Sequence, residues 1–81
     1  MDKAVRPWEM VPPEGRLLRP AEVCERTGLS RSQIYSMIAD GLFPPMLKLS
    51  SRASALPEAW LNAYVEALAD KAVQKQLKRH A

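Results

Sequence analysis

Thr27-Gly28-Leu29-Ser30-Arg31-Ser32-Gln33-Ile34-Tyr35-Ser36-Met37-Ile38-Ala39-Asp40-Gly41 is the stretch whose reading decides the fold. Ser30 followed three places later by Gln33 is a capping box, which predicts a helix starting at Arg31. Ile34, Met37 and Ile38 supply its apolar face at helical spacing. Asp40-Gly41 ends it, with Gly41 free to take the left-handed cap conformation. Upstream, Pro20 suits a first helical position, Glu22 a first turn and Gly28 a helix end, which predicts a short helix over 20–28. Val23, Cys24 and Thr27 fall on one side of it. Only Gly28, Leu29 and Ser30 separate the two helices. A three-residue turn containing Gly between two short amphipathic helices is a helix-turn-helix arrangement.

The chain changes character on both sides. Leu42-Phe43-Pro44-Pro45 cannot continue a helix, because the prolines remove donors and force extended backbone. Met46-Leu47-Lys48-Leu49 and Arg52-Ala53-Ser54-Ala55-Leu56 flank Ser50-Ser51 and read as a β-hairpin with a basic tip. From Pro57 to Arg79 the pattern is helical, about 34 Å long at 1.5 Å per residue. Trp60, Leu61, Tyr64, Val65, Leu68 and Ala72 form its expected apolar stripe. Lys71, Lys75 and Lys78 then continue the sector of Trp60 and Tyr64, so the final turns are expected to leave the core. Residues 1–19 hold Pro7, Trp8, Pro12, Pro13 and Gly15 without a helical or strand period, which predicts an extended arm.

Composition narrows the function classes. Eighty-one residues allow one small domain, and a net charge of +3 is compatible with nucleic acid without demanding it. The single cysteine, Cys24, excludes an internal disulfide and reads as a small core residue in a reducing compartment. The single histidine, His80, stands without a ligand cluster, so no structural zinc site is expected, and it is a poor catalytic base. Gly15, Gly28 and Gly41 match no phosphate-binding fingerprint. No apolar signal segment or membrane span is read, and no cofactor is expected. The chain therefore reads as a cytoplasmic binding protein rather than an enzyme. Residues 41–56 contain Lys48 and Arg52 and no acid, so much of the net positive charge lies in the hairpin.

Arg16-Leu17-Leu18-Arg19, Val23-Cys24-Glu25, Thr27-Gly28-Leu29-Ser30-Arg31-Ser32, Ile34-Tyr35 and Gly41-Leu42-Phe43-Pro44 together resemble the AlpA family. These are small phage-type DNA-binding regulators with a MerR-like winged helix, close kin of excisionases. The resemblance runs from about Arg16 to about Val65. It implies a mainly α fold with a small β-hairpin, a winged helix-turn-helix over 16–65. An extended N-terminal arm over 1–15 and a C-terminal helical extension over 66–81 lie outside it. Serine stands where the family's wing has its turn glycine, Leu56-Pro57 where it often has Trp-Arg, and Tyr64 where it often has Trp.

In a helix-turn-helix the second helix enters the major groove with its N-terminal residues against base edges. That placement turns Arg31, Ser32, Gln33 and Ser36 toward double-stranded DNA. Arg31 suits guanine or a phosphate; Gln33 suits adenine, unless the capping box holds it. Tyr35 either packs or lends its hydroxyl to a phosphate. Lys48, Ser50 and Arg52 at the hairpin tip are placed at the backbone or minor groove, and Arg19 completes the set.

Trp8 and Val11 on the arm, with Lys71 and Lys75 on the tail, are candidate contacts between copies. Trp8 is read equally as folding back on its own domain or docking on a neighbour, and the tail lysines as phosphate contacts or a solvated face. No long heptad run supports a symmetric coiled-coil dimer, so head-to-tail assembly on repeated sites is expected. The resemblance implies an excisionase, a recombination directionality factor that bends DNA for an integrase excising a mobile element. Its alternative is a transcriptional regulator at a promoter. A protein-interaction adaptor that keeps the fold without DNA binding is the reading from another class.

Overall fold

A computed structural model describes residues 6–80, with side chains described up to Leu77. The expectations attached to residues 1–5 and to the side chains of Lys78, Arg79 and His80 lie outside the described residues. A 3-10 turn, Pro7–Met10, precedes β1 (Leu17–Leu18), α1 (Pro20–Thr27), α2 (Arg31–Ala39), β2 (Leu47–Ser50), β3 (Ala53–Pro57) and α3 (Glu58–His80). The three strands form one antiparallel sheet in the order β1-β3-β2. Among the described residues no helix is long and apolar enough to cross a membrane.

The helix-turn-helix forms for the local reasons legible in the chain. Pro20 occupies the first helical position of α1, where its missing N–H is not needed. Gly28 then ends the helix at φ 76°, and its N–H donates to the Cys24 carbonyl at 2.8 Å. A residue with a Cβ adopts that backbone only at a cost, so glycine is the natural stop. Thr27 ties the turn from within. Its hydroxyl donates to the Val23 carbonyl at 2.8 Å and accepts from the Leu29 N–H at 3.1 Å. Ser30 and Gln33 close their capping box reciprocally, at 3.1 and 2.9 Å.

Nearly every element contributes one residue to the core. Leu18 comes from β1, Val23 from α1, Ile34 from α2, Phe43 from the following loop, Leu56 from β3 and Leu61 from α3. Cys24, Met37, Met46, Trp60 and Tyr64 are half-buried against this cluster. So small a core gains from every added apolar contact, and the N-terminal segment supplies one. Trp8 is only 6% exposed, with its ring centroid 6.2 Å from that of Tyr64, which lies 4.7 Å from that of Phe43. The Trp60 indole N–H donates to the Val11 carbonyl at 2.8 Å, and Arg6 Nε donates to the Gly41 carbonyl at 2.8 Å. Gly41 sits at φ 74°, and a Cβ there would stand 2.6 Å from Arg6 Nη2, so glycine both ends α2 and admits the arginine.

Several expectations are corrected. The N-terminal segment is not extended throughout and Trp8 is not free to dock elsewhere: of its two readings, folding back is the one found. Leu17-Leu18 is a strand within the segment read as an arm, pairing with Pro57 and Leu56. A two-residue strand carries no periodicity, so its pairing alone reveals it. The hairpin turns at Ser51-Arg52, one residue later than Ser50-Ser51, because the register shifts between Lys48 and Ser50. Pro57 ends β3 and does not open α3, whose first residue, Glu58, donates its N–H to the Arg16 carbonyl at 2.8 Å. Val65, Leu68 and Ala72, expected in the core stripe, are exposed because α3 has already run past the body that would cover them.

Candidate nucleic-acid interface

Helix α2 is held by a single fully buried side chain, Ile34, helped by half-buried Met37 and Ile38. Arg31, Ser32, Gln33, Tyr35 and Ser36 are consequently all exposed. Arg31 and Tyr35 stand four residues apart, as do Ser32 and Ser36, so each pair shares a face of the helix. Tyr35 does not take the packed alternative; its ring is outside the core cluster. Gln33 does take the capped one. Its Oε1 accepts from the Ser30 N–H, which leaves its amide nitrogen as the group available for an acceptor on DNA.

The charge at the start of α2 differs from that of the other two α-helices. Glu22 lies in the first turn of α1 and Glu58 in that of α3, each complementing the positive end of the helix dipole. No acid lies in the first turn of α2, where Arg31 stands instead. The N–H groups of Arg31 and Ser32 have no acceptor within the helix by construction. An arginine, two serine hydroxyls and unpaired amides around an uncompensated helix start suit an external anion.

The hairpin presents Lys48, Ser50 and Arg52, all exposed. Lys48 lies opposite Ser54 and Ser50 opposite Ala53. Ser50 Oγ accepts from the Arg52 N–H at 3.3 Å, which shapes the tip and leaves the serine hydroxyl hydrogen to donate outward. The one-residue displacement of the turn keeps Ser51 at the tip and brings Arg52 into it. Ser51 is exposed at this tip as well, between the candidates Ser50 and Arg52. Arg19, immediately before α1, is exposed as well.

The arginines and lysines fall into two groups. Arg6 meets Glu9 at 3.3 Å, Arg16 meets Glu22 at 2.7 Å and Arg26 meets Glu58 at 2.7 Å. The Arg16 contact holds the Glu22 carboxyl below the usual carboxylate range, with help from the Arg19 N–H, and raises the pKa of Arg16 itself. Among the described residues, Arg19, Arg31, Lys48 and Arg52 have no carboxylate within ion-pair distance. Lys71 and Lys75 are exposed on α3 and likewise unpaired, whereas Val11 is half-buried and holds the Trp60 indole through its carbonyl.

The family described as prophage CP4-57 regulatory protein (AlpA) matches residues 16–67, which is most of the chain. The chain belongs to the AlpA family. This is a phage regulatory family whose members bind DNA. A curated relative, uncharacterized protein ORF88 of Enterobacteria phage P4, is 44% identical over 52 residues, covering 64% of this chain. The matched stretch spans 54% of that relative's length, about half. No solved structure matches the chain. The AlpA match begins at Arg16, just before β1, and ends at Ala67, within α3. It therefore contains every residue of the candidate interface and excludes Trp8, Val11, Lys71 and Lys75.

Proposed function

We propose that this AlpA-family chain is a winged helix-turn-helix protein that binds double-stranded DNA. In this reading α2 is the recognition helix and the β2–β3 hairpin is the wing. The observation that carries it is the division of cations: among the described residues those on α2 and the hairpin are unpaired, whereas Arg6, Arg16 and Arg26 are neutralised within the fold. Arg31, with the Ser32 and Ser36 hydroxyls, reads bases or fixes phosphates in the major groove. Lys48, Ser50, Ser51 and Arg52 engage the backbone or a narrow minor groove, and Arg19 adds a phosphate contact. In this reading the chain acts by binding rather than catalysis.

The biological role that fits this chemistry best is that of an excisionase. One small domain buries limited surface on DNA, so several copies binding repeated sites cooperatively supply the affinity and bend the duplex for an integrase. The phage P4 relative supports a mobile-element setting. A transcriptional role is the second reading, favoured by the family's description as a regulatory protein. Footprinting across the gene's own genomic neighbourhood, followed by excision assays with the neighbouring integrase, tests both. Stimulated excision is expected; promoter control without stimulation would overturn the excisionase role, and no footprint would leave a protein-interaction adaptor.

A further inference from the structure

Beyond residue 68, α3 has no covering element among the described residues but still carries apolar side chains. Val73 is 55% and Leu77 64% exposed. Val65, Ala69, Val73 and Leu77 recur at four-residue spacing, and Val65 and Val73 lie symmetrically about Ala69. A helix turn that packs on nothing is marginal in water, and unpartnered apolar residues on it want a cover. Beside the proximal half of the same helix lies an open apolar groove of about 670 Å³, bounded by Leu29, Met37, Leu61, Tyr64, Val65 and Leu68. Groove and tail belong to one rigid helix, so a chain cannot fill its own groove.

The charges of α3 indicate what can. From Glu58 to Asp70 the helix carries three carboxylates and no cation; from Lys71 to Arg79 it carries four cations and no carboxylate. The helix dipole explains such a bias only in the first and last turns, whereas Glu66, Asp70, Lys71 and Lys75 lie in its interior. Parallel α3 helices would set like charges side by side. Antiparallel ones set the basic half of each against the acidic half of the other.

We infer that two copies of this chain pair through α3, antiparallel about Ala69, with Val73 and Leu77 of each copy covering the groove beside Val65 and Leu68 of the other. The arrangement is two-fold symmetric and closes at a dimer, unlike the head-to-tail array expected from the sequence. Ala69, the smallest side chain of the row, lies where the two backbones come nearest. One helix pair buries less than the roughly 1,200 Å² of a stable interface, so the dimer depends on concentration. Two copies held on neighbouring DNA sites gain from their raised effective concentration. The pairing itself does not rest on DNA binding.

The experiment uses the full chain without DNA, so the outcome is independent of the proposed function. Sedimentation over a concentration series is expected to show monomer passing to dimer and stopping there, with the dimer weakened by salt. Val73→Asp, at an exposed site that leaves the core untouched, is expected to weaken dimerisation at least tenfold with helicity by circular dichroism unchanged. In a Cys24→Ala background, Ala69→Cys is expected to form a disulfide dimer on mild oxidation, whereas Gln74→Cys, on another face of α3, does not. A monomer at every concentration, assemblies growing past the dimer, or equal cross-linking at 69 and 74 would overturn the inference.

Discussion

The side of the molecule built from the N-terminal segment, α1 and the start of α3 pairs Arg6, Arg16 and Arg26 with carboxylates, whereas on α2 and the hairpin Arg31, Lys48 and Arg52 have no such partner among the described residues. Arg26 and Glu58 are 32 residues apart in the chain and meet at 2.7 Å, clasping α1 to α3. Arg16 and Glu22 do the same between β1 and α1. Exposed pairs of this kind contribute little stability each, but they settle which positive charges remain for a partner. In the α2–hairpin region every candidate side chain is exposed, and the side-chain hydrogen bonds there shape the backbone: the Ser30–Gln33 cap and the Ser50 bond at the tip. In the proposed reading one region serves stability and the other contact.

Substitutions break that division in opposite ways, and the largest effect falls on the stabilising side. Trp8→Ala is expected to lower folding stability by about 3–5 kcal/mol, the usual range for a buried aromatic, as read by denaturant unfolding. The folded fraction should still bind DNA with nearly the wild-type constant, because Trp8 lies outside the contact region. Next, Arg31→Ala is expected to weaken specific DNA binding by about 1–3 kcal/mol in a mobility shift, with the melting temperature unchanged. A smaller effect joins the two regions: Ser30→Ala removes the α2 cap and costs about 1 kcal/mol of stability. The backbone N–H at residue 30 is retained, so the Gln33 side chain keeps its own bond and base preference should not change.

The smallest effect is electrostatic. Because Arg16 holds the folded-state pKa of Glu22 below its unfolded value, ionised Glu22 favours the fold above the ordinary carboxylate range. That contribution disappears as the pH falls through the lowered value. Glu22→Gln should therefore narrow the gap in melting temperature between neutral and acidic pH, as read by thermal unfolding at the two pH values.

Much of the contact region is legible in the chain because its signals are local. The Ser30–Gln33 box, Gly28 and Gly41 each act within four residues, so α1, the turn and α2 follow from neighbours alone. The stabilising region is less legible because its determinants are distant. Nothing near Leu17-Leu18 marks a strand until Leu56-Pro57 lies beside it, and Trp8 finds Tyr64 only through the fold. Val65 and Leu68 show the converse, having the spacing of core residues on a helix that outruns the core. The pairing of Arg16 and Arg26, and with it the freedom of Arg31, Lys48 and Arg52, likewise depends on tertiary placement.

The dependence of DNA affinity on salt tests the division most directly. For the wild-type chain, log K should fall linearly with log salt. Lys48→Ala and Arg52→Ala should each reduce the slope by about 0.9, the value for one phosphate no longer neutralised by the protein. Arg16→Ala and Arg26→Ala should leave the slope unchanged. A flat wild-type response, or equal reductions from the paired and unpaired cations, would contradict the account.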